Sequence, residues 1–255
     1  MVVSPNLESA ECVQRDGVKH FELVAEPVNR EVLPELFLSG YGYNGQLPGP
    51  TVVCRTGDCV NIKLINRLNE PTSLNINGLD LPNELNGIPA VDSSPPVQSG
   101  EAFDYRFIVR NRPGTYIYTS GTCPSRQQTL GMAGAFIIDD GKGGCNRDFA
   151  LLLQEFSIDQ RQGQLGQGTY SIAAQPAEGN FFCINGGCFP EIEPICVIPG
   201  GEVRLRLLNL SGCTQPMSLS GHTLKVIAKD GFRLPQPVYT NTVPVAPGET
   251  VDVVF

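Results

Sequence analysis

Histidine is nearly absent from this sequence: there are two, His20 and His222, in 255 residues, alongside three methionines and no tryptophan. Imidazole nitrogen is the usual protein ligand for copper, and thioether sulfur a common auxiliary, so the chain is poorly supplied for a copper centre. Long apolar runs are missing too. None approaches the eighteen or so residues that a membrane-spanning helix requires, and no span is expected. The opening MVVSPNLESAEC has neither the basic nor the apolar region of a signal peptide, so an export signal is expected to be removed or absent. Positive charge is the minority sign, with 18 Lys and Arg against 26 Asp and Glu and a net charge of −8. Without a basic cluster to neutralise phosphates, nucleic acid is excluded as a sequence-independent partner.

What is present points to β-structure. Glycine (28) and proline (21) punctuate short runs such as CVNIKLI, AFDYRFIVR, GAFIID, EVRLRLLNL and HTLKVIA. Several alternate apolar and polar residues, the period of half-buried strands, and no stretch has convincing helical periodicity. The fold class is therefore all-β, of the sandwich type.

Nine cysteines are many for a reducing compartment, and an odd number leaves at least one unpaired within the chain. An extracytoplasmic location is favoured: periplasmic, secreted or cell surface. Two Cys-x4-Cys pairs stand out, Cys54 with Cys59 and Cys183 with Cys188; the others are Cys12, Cys123, Cys145, Cys196 and Cys213. The usual zinc spacing is tighter, and the pairs fall in different halves of the chain, which argues against a cysteine metal site. Between Cys183 and Cys188 lies Ile184-Asn185-Gly186-Gly187. Asn-Gly favours a two-residue type I′ turn, which would set Cys183 opposite Cys188 in a closely spaced pair suited to a disulfide. Cys54 and Cys59 form a second candidate pair with a less specific turn, Thr56-Gly57.

The chain repeats itself. Gly57 to Asn66 matches Gly200 to Asn209 at an offset of 143, SLNINGL aligns with PMSLSGH, and Val97 to Tyr105 matches Val245 to Val253 at an offset of 148. Two copies of one β-domain follow. Their boundary is expected in the polar, glycine-rich stretch from Asp139 to Gly144, giving domains 1–140 and 141–255. Counterparts of Ile108 to Ile138 are missing from the second copy, so that domain is expected to lack its last strands. Its open edges are expected to be covered by a protein partner, by self-association, or by the segment before Phe21.

These residues resemble the multicopper oxidases, the laccase-like family of consecutive cupredoxin domains. YNGQLPGPTVVCRTGDCVNIKLINRL, NGIPAVDSSPPVQSGEAFDYRF, GTYIYTSG and LGMAGAFIID are similar to the family's first domain, and INGGCFPEIEPICVIPGGEVRLRLLNLSG with APGETVDVVF to its second. The resemblance implies two tandem cupredoxin-like Greek-key β-sandwiches. It also implies where copper ligands should stand: a His-x-His-Gly pair at Asn75 and Asn77 before Gly78, and a His-x-His pair at Thr119 and Gly121. None of the four is a histidine. An Asp-Gly common in the family is Asn86-Gly87 here, and the family's remaining ligands belong to a last domain that this sequence does not include.

The expected function is accordingly that of a copper-free structural or binding module, with no cofactor in this chain and no catalytic residue. A copper-free, oxidase-like periplasmic protein that supports bacterial cell division is a fold-level precedent. The alternative is the N-terminal part of an oxidoreductase whose copper lies in a third domain. A third reading is a small-ligand binder, with Asn75 and Asn77 projecting from one strand face into a polar pocket shared with Thr119 and Cys123. Against it stands a closed cavity whose polar groups bond to one another. Cys123 is expected to be a buried, inert thiol, and His222 a hydrogen-bonded structural residue at the start of a strand.

Overall fold

The computed structural model describes residues 2–141, 145, 147–158, 167–175 and 178–255. Lys142 to Gly144, part of the expected boundary, lie outside the described residues. The first half contains β1 (Val2–Val3), β2 (Val13–Arg15), β3 (Val18–Leu33), β4 (Leu36–Tyr43), β5 (Gly49–Arg55), β6 (Cys59–Asn66), β7 (Asn75–Ile76), β8 (Ala102–Ile108), β9 (Gly114–Thr119) and β10 (Ala133–Asp139). One short helix, α1 (Pro124–Gln127), separates β9 from β10. The second half contains β11 (Arg147–Phe156), β12 (Gly168–Ser171), β13 (Phe181–Ile184), β14 (Val203–Asn209), β15 (Gln215–Ser218), β16 (Leu224–Lys229), β17 (Phe232–Thr240), β18 (Thr242–Val245) and β19 (Thr250–Val254).

Each half is a pair of facing sheets. In the first, the order β12-β4-β3-β6-β8 faces β5-β10-β9-β7; in the second, β1-β11-β14-β19-β16-β17 faces the two-stranded β15-β18. Two strands cross between the halves. The N-terminal β1 runs parallel to β11, with Val2 opposite Asp148, and β12 runs parallel to β4, with Tyr170 opposite Leu38. The segment before Phe21 thus covers one edge of the second sandwich.

The alternation of β10 explains how the halves meet. Phe136 and Ile138 enter the first core beside Leu23, Tyr43, Val52 and Tyr105. Ala135 and Ile137 face the other way and join Ile117, Ala150, Leu152 and Leu208 between the halves. Both faces of the strand are buried, which is why GAFIID reads as a nearly continuous apolar run.

The repeat recurs at the level of single hydrogen bonds. Asn66 is fully buried; its amide donates to the carbonyls of Glu70 and Val97 and its oxygen accepts from the Leu68 amide. Asn209 does the same with Cys213, Val245 and the Ser211 amide. A second pair lies in the Asn-Gly turns. Asn44 and Asn185 both have φ of 53°, and each oxygen accepts from a strand amide, Val24 or Leu152.

Cys183 and Cys188 are joined by a disulfide, with Cα atoms 4.5 Å apart across the Asn185-Gly186 turn. The second candidate pair is not joined. Cys54 is the last but one residue of β5 in one sheet and Cys59 begins β6 in the facing sheet, so Thr56-Gly57 is an arch across the sandwich rather than a hairpin. Cys54 points into the first core, and Cys59, its strand paired on both sides by β3 and β8, sits half-buried.

Candidate functional site

The four positions to which the resemblance assigns copper ligands come together where β7 and β9 meet. Asn75 lies directly opposite Thr119 in an antiparallel pair, and the Asn77 amide bonds to the Ile117 carbonyl. The side chains do not share one pocket. Asn75 is buried and its amide donates to the Asn86 carbonyl at 2.6 Å. Asn77 lies beyond the end of β7 and is exposed, so the expectation of two amides on one strand face fails where the strand ends. Thr119 is buried, and its hydroxyl accepts from the Gln128 amide at 3.3 Å.

Gly121 is tighter still. A Cβ there would lie 2.0 Å from the Gly87 carbonyl oxygen, and one on Gly87 would lie 1.9 Å from the Leu74 carbonyl. Backbone therefore packs on backbone where the family pattern calls for an imidazole. Gly87 holds its place with φ of 77°, a conformation that glycine adopts without a steric cost.

The centre of this region is filled by a plug of hydroxyls and one amide that sequence reasoning missed. Gln127, fully buried on α1, accepts from Thr72 at 2.8 Å and from Ser120 at 2.5 Å, and its nitrogen donates to the Pro71 carbonyl at 2.8 Å. Ser73 donates to the Gly87 carbonyl at 2.7 Å, and Thr122 donates to Ser73 at 2.8 Å. The Thr72-Ser73 and Ser120-Gly121-Thr122 runs beside the marked positions were the available signal. These groups satisfy one another, the arrangement expected of a closed cavity rather than an open binding site.

Cys123 is not the buried thiol that was expected. It is exposed, with φ of 49°, at the N-cap of α1. Its own left-handed backbone conformation accompanies a side chain turned out of the plug. His222 precedes β16, is exposed, and packs its ring edge-on against Phe255 with centroids 5.0 Å apart. The structure gives it a ring contact in place of the expected hydrogen-bonded role. His20 lies on β3 opposite Val13, far along the chain from any second imidazole.

The donor set at the marked positions is an amide already bonded to Asn86, an exposed amide, a hydroxyl and a glycine. None offers an imidazole-like lone pair, so these residues do not fit a copper ion. Among the described residues no three His, Cys, Asp or Glu side chains are arranged to hold a metal.

Two sequence profiles, both described as "Multicopper oxidase", match residues 28–143 and 148–255. The chain belongs to the multicopper oxidase family. The solved multi-copper oxidase from Pseudomonas Thermotolerans superimposes with a TM-score of 0.80 at 29% identity, over 93% of this chain and 57% of that one. Among curated proteins, the cell division protein FtsP of Sodalis glossinidius is 34% identical over 233 residues, covering 84% of this chain and 46% of that protein. FtsP of Yersinia pestis is 33% identical over 232 residues, with the same coverage. The chain thus spans about half the length of these curated relatives.

Proposed function

We propose that this multicopper oxidase relative is a copper-free structural or protein-binding module with no oxidase activity of its own. The observation that carries the reading is the closed plug: Asn75 is bonded to Asn86, Thr119 to Gln128, and Gly121 has no room for a side chain. Oxygen reduction at a copper cluster requires imidazoles converging on one space, and here that space is occupied by hydroxyls, an amide and main chain. The similarity to proteins named for cell division supports a partner in an extracytoplasmic division assembly. The disulfide at Cys183–Cys188 accords with an oxidising compartment. No helix among the described residues is long and apolar enough to cross a membrane.

The similarity to a solved oxidase over 57% of its length favours a second reading, in which copper is held by a further domain of a longer protein. Oxygen uptake with a phenolic substrate, measured for this chain and for any longer form after copper addition, separates the two. No uptake by either supports the module. Uptake by the longer form alone assigns copper to a third domain, and uptake by this chain contradicts both.

A further inference from the structure

Two thiols that are free in this structure, Cys12 and Cys54, meet where the N-terminal arm crosses the first sandwich. Ser9 forms a parallel bridge with Thr51 of β5, and the Ala10 amide donates to the Thr51 carbonyl at 2.9 Å. No turn or bend interrupts the arm from Glu8 to Arg15. Carried forward in step, this register sets Cys12 beside Cys54, each three residues beyond its bridged neighbour. The faces agree as well. Ala10 and Cys12 share one side of an extended arm, as Val52 and Cys54 share one side of β5. Ala10 packs against the first core, in which Val52 and Cys54 are buried.

Cys12 then leaves β5 for the facing sheet, because it immediately precedes β2, whose Val13 lies opposite His20 of β3. The charges mark the same spot. Lys19 of β3 and Asp58 of the arch form an ion pair at 2.7 Å. Cys12 is exposed, yet enough protein surrounds its sulfur for desolvation to raise its pKa, with Lys19 opposing the rise and Asp58 adding to it. Cys54 is raised by burial and then by Asp58, and Cys12 itself contributes. Both thiols thus lie beside one charged pair, and Cys54 feels Cys12 directly. Cys59 is no rival for Cys54: Val60, Ile62 and Leu64 of β6 fill the first core, so Cys59 projects from the other face of its sheet.

We propose that Cys12 and Cys54 are a second disulfide site, closed by exchange with a small disulfide and fastening the N-terminal arm to the first sandwich. The exposed Cys12, as thiolate, attacks one sulfur of the small disulfide; a mixed disulfide forms and one small thiolate leaves, taking up the proton that Cys12 gave. Cys54 then loses its proton to solvent and attacks the Cys12 sulfur, which expels the second small thiolate. The protein pair is oxidised by two electrons and the small disulfide is reduced to two thiols. Burial disfavours the Cys54 thiolate, so the second step is the slow one. Until it is complete, Cys12 stays open to alkylation and Cys54 does not. The same arm carries β1, the strand that edges the second sandwich on β11, so one covalent bond secures that covering too. No residue of the Gln127 plug takes part, and the proposal is independent of copper.

The test is peptide mapping of the whole chain, reduced and then exposed to oxidised glutathione at mildly alkaline pH, with remaining thiols blocked in denaturant. Trypsin separates the candidates: Cys12 falls in peptide 1–15, Cys54 in 31–55 and Cys59 in 56–63. The expected product is 1–15 joined to 31–55 within one chain. Oxidation is also expected to raise the denaturant midpoint, since a closed loop restricts the unfolded chain. Cys12→Ser, a change at an exposed position, is expected to remove the joined peptides and at least part of that rise. Cys12 recovered only as its mixed disulfide with glutathione, joined to Cys59, or joined to Cys54 of a second chain in a dimer on a non-reducing gel overturns the proposal, as does a full rise in midpoint in Cys12→Ser.

Discussion

Gly121 has space for a hydrogen and nothing larger, because the Gly87 carbonyl occupies the place of its Cβ. Gly121→Ala is therefore expected to destabilise the chain by about 1–3 kcal/mol, the usual range for overpacking, read as a lowered midpoint in denaturant. An unchanged midpoint would show that the loops part easily. Cys54 behaves differently from the exposed thiols. Burial, then the charge of Asp58, pushes its pKa up to about 12 from an ordinary 9.0. Its thiol form is thus favoured by folding, a contribution held below pH 9 and lost as the pH rises towards 12. In native protein at pH 8, iodoacetamide is expected to label Cys12, Cys123, Cys196 and Cys213 and to spare Cys54 until the chain is unfolded. Peptide mapping that found Cys54 labelled in the folded state would contradict this burial. The lack of histidine at Asn75, Asn77, Thr119 and Gly121 was legible in the sequence. What replaced it was not, because hydroxyl bonds between loops, such as Thr122 to Ser73, leave no periodic trace.

Short apolar or alternating runs were the most readable signal at the level of elements, and they located β6, β8, β10, β14 and β16, while β19 came from the internal repeat. The Asn-Gly turn at Asn185-Gly186 was legible for a local reason: its chemistry requires positive φ at both positions, and both have it. The arch at Thr56-Gly57 was not, since nothing in its residues says whether the next strand returns to the same sheet or to the facing one. Of the two crossing strands, β1 supplies one of the three coverings that the sequence left open, the segment before Phe21, whereas β12 was illegible because its partner lies more than a hundred residues away and its own pattern is short. The repeated asparagines carry their own prediction. Asn209 completes three backbone groups between β14 and the loops around it, so Asn209→Ala leaves buried carbonyls and an amide without partners. A loss of about 1–3 kcal/mol is expected on unfolding by denaturant, with a similar loss for Asn66→Ala. A loss in one copy only would contradict the equivalence of the two turns.

Across the whole molecule, the two halves are joined by apolar burial around Ile137 and Leu152 and by the Thr115 hydroxyl, which bonds to Arg206 and Asp252 of a buried ionic cluster in the second half. Burial alone would lower the affinity of Arg206 for its proton, but the bonds to Asp148 and the charge of Asp252 reverse this and hold the guanidinium charged. Arg206→Ala is expected to cost about 3–5 kcal/mol, because it strands Asp252 in the interior without its counter-charge. Thermal unfolding of the variant with Asp252→Asn added is expected to recover part of that loss, and no recovery would place the damage in packing instead. The same union of the halves buries both faces of β10. The most direct measurement of the central claim is elemental analysis of the chain after copper loading and desalting, read together with its visible spectrum. The account predicts copper well below one equivalent and no intense blue band; stoichiometric copper that survives desalting, with such a band, would contradict it.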